Sequence, residues 1–316
     1  MSNRDEYYNR AKQEGYRARS AYKLQQIDDA ENVLGYGDTV VDLGAAPGGW
    51  LQVAAERVGD AGLVVGVDRQ AIEPLADHDN VETVRGDMTA ERTRDRLRDT
   101  LGVPGVGPND RREQSSLGSA SELRASDEID TTDDDGEPTD RQSDDGDDRQ
   151  ADGRERPDGP AARPADVVVS DMAPNVSGEY ELDHARSIHL ARQALETALT
   201  VLSPGGDFVV KVFDGRELAG FREEAAESFE YVRSLDPEAS RPESSERYLI
   251  GKGRVDAPVT EGERREVEIT AVGDEGDGIA TVDGYTVFVP GGEPGQTVSV
   301  TIVDVKPRFG FAELID

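Results

Sequence analysis

The run Asp207–Phe213, DFVVKVF, holds a lysine in the middle of an otherwise apolar stretch. Lysine is rarely buried without a partner, so Lys211 needs either a task or an escape to water. An edge strand with the ammonium in solvent is the plain alternative. A second apolar run, Asp166–Asp171, ends in an acid, and if it joins the same sheet, Asp171 comes near Lys211. Lysine is scarce here: Lys12, Lys23, Lys211, Lys252 and Lys306 are five of 35 cations. That scarcity draws attention to Lys23, which lies with Arg17 and Arg19 among Tyr16 and Tyr22. A surface or phosphate-binding lysine is the alternative there. Glu246 directly precedes a last apolar strand, Arg247–Ile250. A lysine in apolar surroundings with a like charge nearby can take a proton from a weak acid, because both effects favour its neutral form.

These residues need elements to hold them. Val40–Trp50, VVDLGAAPGGW, reads as a strand, a small-residue turn and a helix start. Neither G-x-G-x-x-G nor G-x-x-x-x-G-K-[ST] is present, which weakens pyrophosphate and triphosphate readings. An acid, Asp42, beside such a loop suits a ligand with an amino-acid moiety and a cationic centre, such as S-adenosylmethionine (SAM). An ordinary strand-turn-helix is the alternative. The strand Gly62–Asp68 follows, and Asp68 stands where an α/β nucleotide site places a carboxylate on a ribose diol. It reads equally as a strand-end turn residue. A third strand, Asn80–Asp87, again ends in an acid, placed to accept from an adenine amino group. Acids at the ends of successive strands predict a ligand at the carboxyl edge of a parallel sheet.

The rest of the chain fits one α/β layer and one small β module. A helix is predicted over Ala90–Leu101 and an amphipathic helix over Leu182–Leu202, stopped by Pro204-Gly205-Gly206. Between them, residues from about 103 to 164 carry 18 acids against 8 arginines and few apolar residues. That composition predicts a disordered acidic insertion inside the α/β domain. From 256 to 316, five short alternating runs separated by glycine turns predict a small β-barrel. The absence of cysteine and the presence of only three histidines argue against disulfides and a metal site. No apolar run approaches a membrane span, so a cytoplasmic protein with no membrane partner is expected. The net charge of −32 argues against nucleic acid at first sight. An acidic surface with arginine over lysine also fits a host with molar salt, where the Debye length is about 3 Å and repulsion of RNA is screened.

Four motifs in order now carry a resemblance: Arg17–Asp28 (RARSAYKLQQID), Val40–Trp50, Ser170–Gly178 (SDMAPNVSG) and Val209–Gly215 (VVKVFDG). Together they resemble the FtsJ/RrmJ (RlmE-type) ribosomal RNA 2′-O-methyltransferases, over about 1–103 and 164–253. The segment from Gly276 to Leu314 looks like a TRAM domain, an OB-like barrel that binds RNA. The pair resembles the haloarchaeal form. The resemblance implies a Rossmann-like SAM-dependent methyltransferase domain over 1–253 and a TRAM domain over 256–316. It implies transfer of a methyl group from SAM to a uridine 2′-hydroxyl in 23S rRNA, within the 50S subunit, by a monomer. It implies a catalytic set of Lys211, Lys23, Asp171 and Glu246, with Lys211 as general base and Glu243 as a rival for the fourth place. For SAM it implies Gly48 and Trp50 at the methionine, Asp68 at the ribose, Asp87 near the adenine and Asp171 near the methyl-bearing end. The alternatives are 2′-O-methylation of tRNA, a non-catalytic RNA-binding assembly factor that keeps the fold, and a nicotinamide dehydrogenase. The intact lysine–acid set disfavours the second, and AAPGGW in place of G-x-G-x-x-G disfavours the third.

Overall fold

The computed structural model describes residues 3–104, 162–240, 244–273 and 276–315. Most of the expected acidic insertion, and Glu243, lie outside the described residues. Two helices open the chain, α1 (Asn3–Glu14) and α2 (Ala21–Glu31). The α/β layer follows: β1 (Thr39–Leu43), α3 (Gly49–Val58), β2 (Leu63–Asp68), β3 (Val81–Arg85), α4 (Glu91–Leu101), β4 (Ala165–Ser170), α5 (Tyr180–Leu199), β5 (Leu202–Phe213), α6 (Leu218–Ala226), β6 (Phe229–Leu235) and β7 (Glu246–Arg254). Sheet order is β3-β2-β1-β4-β5-β7-β6, with the first five strands parallel and β7 antiparallel to both neighbours. The order reverses between β1 and β4, and that switch point opens the crevice where α/β sheets bind ligands.

The apolar strands are covered on both faces, as parallel sheets require. Val41 and Leu43 pack with α4, α5 and α6 on one face. Val40 packs with α2 and α3 on the other. The helix predicted to end at Pro204-Gly205-Gly206 instead ends at Leu199, and those three residues lie inside β5. Leu202 already pairs with Ala165, and a register shift before Asp207 takes up the extra residues. Gly205, at φ 85°, supplies the left-handed turn that this irregularity needs. A Pro-Gly-Gly run reads as a helix stop, but here it marks a bulge in the next strand.

Residues after 256 form the expected barrel. Strands β8 (Arg264–Val272), β9 (Gly278–Val282), β10 (Tyr285–Val289), β11 (Thr297–Val305) and β12 (Phe309–Leu314) close in the order β10-β12-β11-β8-β9. Val267, Ile269, Val287, Val300 and Ile302 fill its interior. Lys306 and Arg308, in the β11–β12 turn, reach Glu230 (3.5 Å) and the Pro204 carbonyl (3.2 Å) of the α/β layer.

Candidate active site

Antiparallel pairing of β5 with β7 builds one half of the site. The register sets Lys211 opposite Tyr248, so both side chains leave the same face. Glu246, two residues before Tyr248, shares that face by strand alternation. Lys211 is buried, and β5 is flanked by β4 and β7, so it is no edge-strand lysine. Its Nζ donates to the Asp171 carboxylate at 3.0 Å and to the Asp171 carbonyl. Tyr248 Oη donates to the same carboxylate oxygen.

Helix α2 brings the second lysine. Lys23 is only 4% exposed, and its Nζ donates to Glu246 Oε2 at 2.8 Å. That ammonium lies 5.5 Å from the centre of the Tyr248 ring. Two buried lysine–carboxylate pairs therefore flank one tyrosine. Burial alone would raise the Glu246 pKa, but the ammonium groups of Lys23 and Lys211 bring it below the usual glutamate value. Burial, then the Asp171 charge, pushes Tyr248 well above an ordinary phenol, so it stays a donor. The structure thus brings Lys23, Asp171, Lys211 and Glu246 together and adds Tyr248, which the motif reading missed. No local signal marked it; its role comes from the pairing of Lys211 with Tyr248 across β5 and β7.

A cleft of about 420 Å³ opens beside this cluster at the carboxyl edge of the sheet, lined by Gly44, Asp68, Asp87, Asp171 and Met172 among others. That is within the range of small-molecule sites, about 300–1,000 Å³. Asp68 ends β2 and accepts from the backbone N–H of Ala46 (3.0 Å) and of Gln70 (2.7 Å). Asp87 accepts from the hydroxyl and N–H of Thr89, which lower its pKa. Gly44 is at φ 83°, and a Cβ there would fall 2.1 Å from Met172 Cγ. Glycine gives the first turn its left-handed φ and leaves room for the Met172 side chain.

Three expected residues stand elsewhere. Trp50 is in the core, its indole N–H on the Ser20 carbonyl (2.7 Å) and its ring 5.8 Å from that of Tyr248. Gly48 caps α3 at φ 109° behind the Arg17 guanidinium. Neither lines the cleft. Asp42, read as a ligand-facing acid, is only 1% exposed within β1. Among the described residues its Oδ2 has no hydrogen-bond partner, and burial, then Asp171 and Asp68, raise its pKa well above the usual aspartate value. Arg17, a neighbour of Lys23 in the sequence, donates to the carbonyls of Pro47, Glu73 and Pro74 and staples the turn.

A family model of FtsJ-like methyltransferases matches residues 16–254, which hold the sheet, the cleft and both lysine pairs. The chain belongs to the FtsJ-like methyltransferase family. A TRAM domain model matches residues 258–315, the barrel. The chain is 52% identical to the ribosomal RNA large subunit methyltransferase E of Halorubrum lacusprofundi, over all of this chain and 95% of that protein. It is 49% identical to the protein of that name from Natronomonas pharaonis, over the full length of both. To that of Methanothrix thermoacetophila it is 41% identical, over 99% of this chain and 97% of the other.

Proposed function

We propose that this methyltransferase modifies a uridine 2′-hydroxyl of 23S rRNA within the large ribosomal subunit, with SAM as donor. The full-length similarity to proteins named for large-subunit rRNA supports the substrate class. The observation that carries the chemistry is the paired arrangement of Lys211–Asp171 and Lys23–Glu246 around Tyr248.

The cleft suits SAM by charge. Asp68, Asp87 and Asp171 line it. Asp68 would hold the ribose hydroxyls, Asp87 would face the adenine, and Gly48 and Trp50 would shape the methionine end from behind. Bound there, SAM supplies an electrophilic methyl group on a sulfonium. A ribose 2′-hydroxyl is a very weak acid and must lose its proton as the new bond forms, so a positioned base is required. Lys211, in its neutral amine form, receives that proton at Nζ and so becomes the ammonium that Asp171 holds. Asp171, fixed by Tyr248, orients Lys211 at the cleft wall. Glu246 and Lys23 hold the next position along and orient the incoming ribose. Most of the rate comes from holding the nucleophile in line at near-attack distance.

We read 1–253 as the catalytic domain and 256–316 as a separate RNA-binding barrel. Phe288, Phe309 and Phe311 support this role. Their ring centres lie 5.6–5.8 Å apart on β10 and β12, and Phe309 is 38% exposed. Such a surface suits stacking of unpaired bases. The resulting protein acts as a monomer in the cytoplasm, where the ribosome is; among the described residues no helix is long and apolar enough to cross a membrane.

The test is methyl transfer from labelled SAM in molar KCl to 50S subunits, free 23S rRNA and bulk tRNA. Label on 50S subunits at an alkali-resistant uridine linkage supports the proposal. Label on tRNA alone moves the substrate to tRNA. No label on any RNA, with SAM still bound, favours a binding factor.

A further inference from the structure

Three arginines converge on a pocket of about 240 Å³ between the end of β3 and the first turns of α4: Arg85, Arg92 and Arg96, with Gly86 and Thr93. All three are exposed. Among the described residues none has a carboxylate within ion-pair distance. Arg85 Nε donates to the Arg69 carbonyl (3.3 Å), and Arg96 donates to the Arg85 carbonyl. The Arg92 side chain has no hydrogen-bond or ion-pair partner among the described residues. Two other arginines of the same helix are paired: Arg94 with Glu196 (2.5 Å) and Arg98 with Asp95 (2.7 Å). The helix thus separates its arginines by face, with 92 and 96 on one and 94 and 98 on another.

This arrangement costs stability. Like charges at i and i+4 repel, and Arg92 sits in the first helical turn, where the macrodipole disfavours a cation. A cation on an exposed edge strand guards against strand pairing, and β3 is an edge strand. That accounts for Arg85 but not for Arg92 or Arg96. In a chain of net charge −32, carboxylates were abundant to pair them, yet the pocket is left cationic.

We propose that Arg85, Arg92 and Arg96 bind a backbone phosphodiester of the substrate RNA. The inference rests on the RNA-methylating reading above and adds a contact outside the catalytic cluster. Guanidinium groups match phosphate oxygens in bidentate fashion. In molar salt the field of distant charges is screened within about 3 Å, so an acidic protein must hold RNA by direct contacts of this kind. Gly86 lines both this pocket and the larger cleft. From β3 to β5 is four strand spacings, about 19 Å, so an RNA reaching Lys211 spans that distance within a few nucleotides.

The test measures KM and kcat for the RNA, and Kd for SAM, in wild type, Arg92→Gln and the triple variant R85Q/R92Q/R96Q, from 0.5 to 3 M KCl. Among the described residues the Arg92 side chain makes no hydrogen bond or ion pair, so its substitution should leave the fold intact, and the SAM Kd checks that. Expected is a KM for RNA raised about threefold to fivefold by Arg92→Gln and more than about tenfold by the triple, with kcat and SAM Kd unchanged. The salt dependence of RNA binding should weaken by about one unit of log–log slope per arginine removed. An unchanged KM and slope in a wild-type-active background overturns the pocket alone. A wild type that methylates no RNA overturns the functional reading and this inference with it.

Discussion

Asp42 is the residue whose state the fold most directly dictates. It is wholly enclosed, one oxygen lacks a partner among the described residues, and Asp171 and Asp68 add repulsion to burial. Its folded pKa lies above its unfolded one, so the native state binds the proton more tightly and stability falls as pH rises above the ordinary carboxylate range. Asp42→Asn should remove that slope. Thermal unfolding at pH 4–8 should show the variant gaining on wild type with rising pH; parallel curves would contradict this. Tyr248 gives a second prediction. Tyr248→Phe removes a donor to Asp171 and should lower kcat while sparing SAM affinity, measured by single-turnover transfer and equilibrium binding. Lys211 and Asp171 were legible because a lysine in an apolar run and an acid after one are anomalies of type. Tyr248 was not, because a tyrosine in a strand is ordinary, and only the β5–β7 register gives it a role. Trp50 was legible as part of a motif, but its burial depends on packing against Tyr248 that no local pattern encodes.

At the scale of elements, the far end of the loop between β4 and α5 is tied to the helix by Asp183. Asp183, in the first turn of α5, accepts from Ser177 N–H (2.8 Å), Ser177 Oγ (2.8 Å) and Gly178 N–H (2.9 Å). Those bonds, the Ser177 N–H foremost, lower its pKa. Its contribution is present at neutral pH and lost only as pH falls through that lowered value. Asp183→Ala should free the loop that begins at Asp171 and cost up to about 10²-fold in kcat with little change in melting temperature. Gly44→Ala tests the first turn. A left-handed φ and the overlap with Met172 should cost about 1–3 kcal/mol, read from denaturant unfolding. The strands were legible from apolar runs and the acids that end them. The end of α5 was not, because Pro-Gly-Gly carries the same local signal at a helix stop and at a bulge.

For the whole molecule, the sheet holds the chemistry and the barrel offers a second surface. Phe309→Ala should weaken RNA binding by about 1–3 kcal/mol and leave the SAM Kd unaltered, measured by filter binding and calorimetry in molar KCl. Equal loss of both affinities would contradict a division of labour between the two parts. The two-part plan was legible because the alternation period and glycine spacing change after residue 256. The long-range partners Lys23 and Glu246, 223 residues apart, were joined in the sequence only by resemblance. Nothing local to either residue states that α2 docks against β7.

The most direct test of the account is single-turnover methyl transfer by Lys211→Ala at saturating SAM and RNA, with the SAM Kd measured in parallel. The account predicts a loss on the order of 10²–10⁴-fold in the rate of transfer with SAM affinity unchanged. Activity within a few-fold of wild type would contradict the role of Lys211.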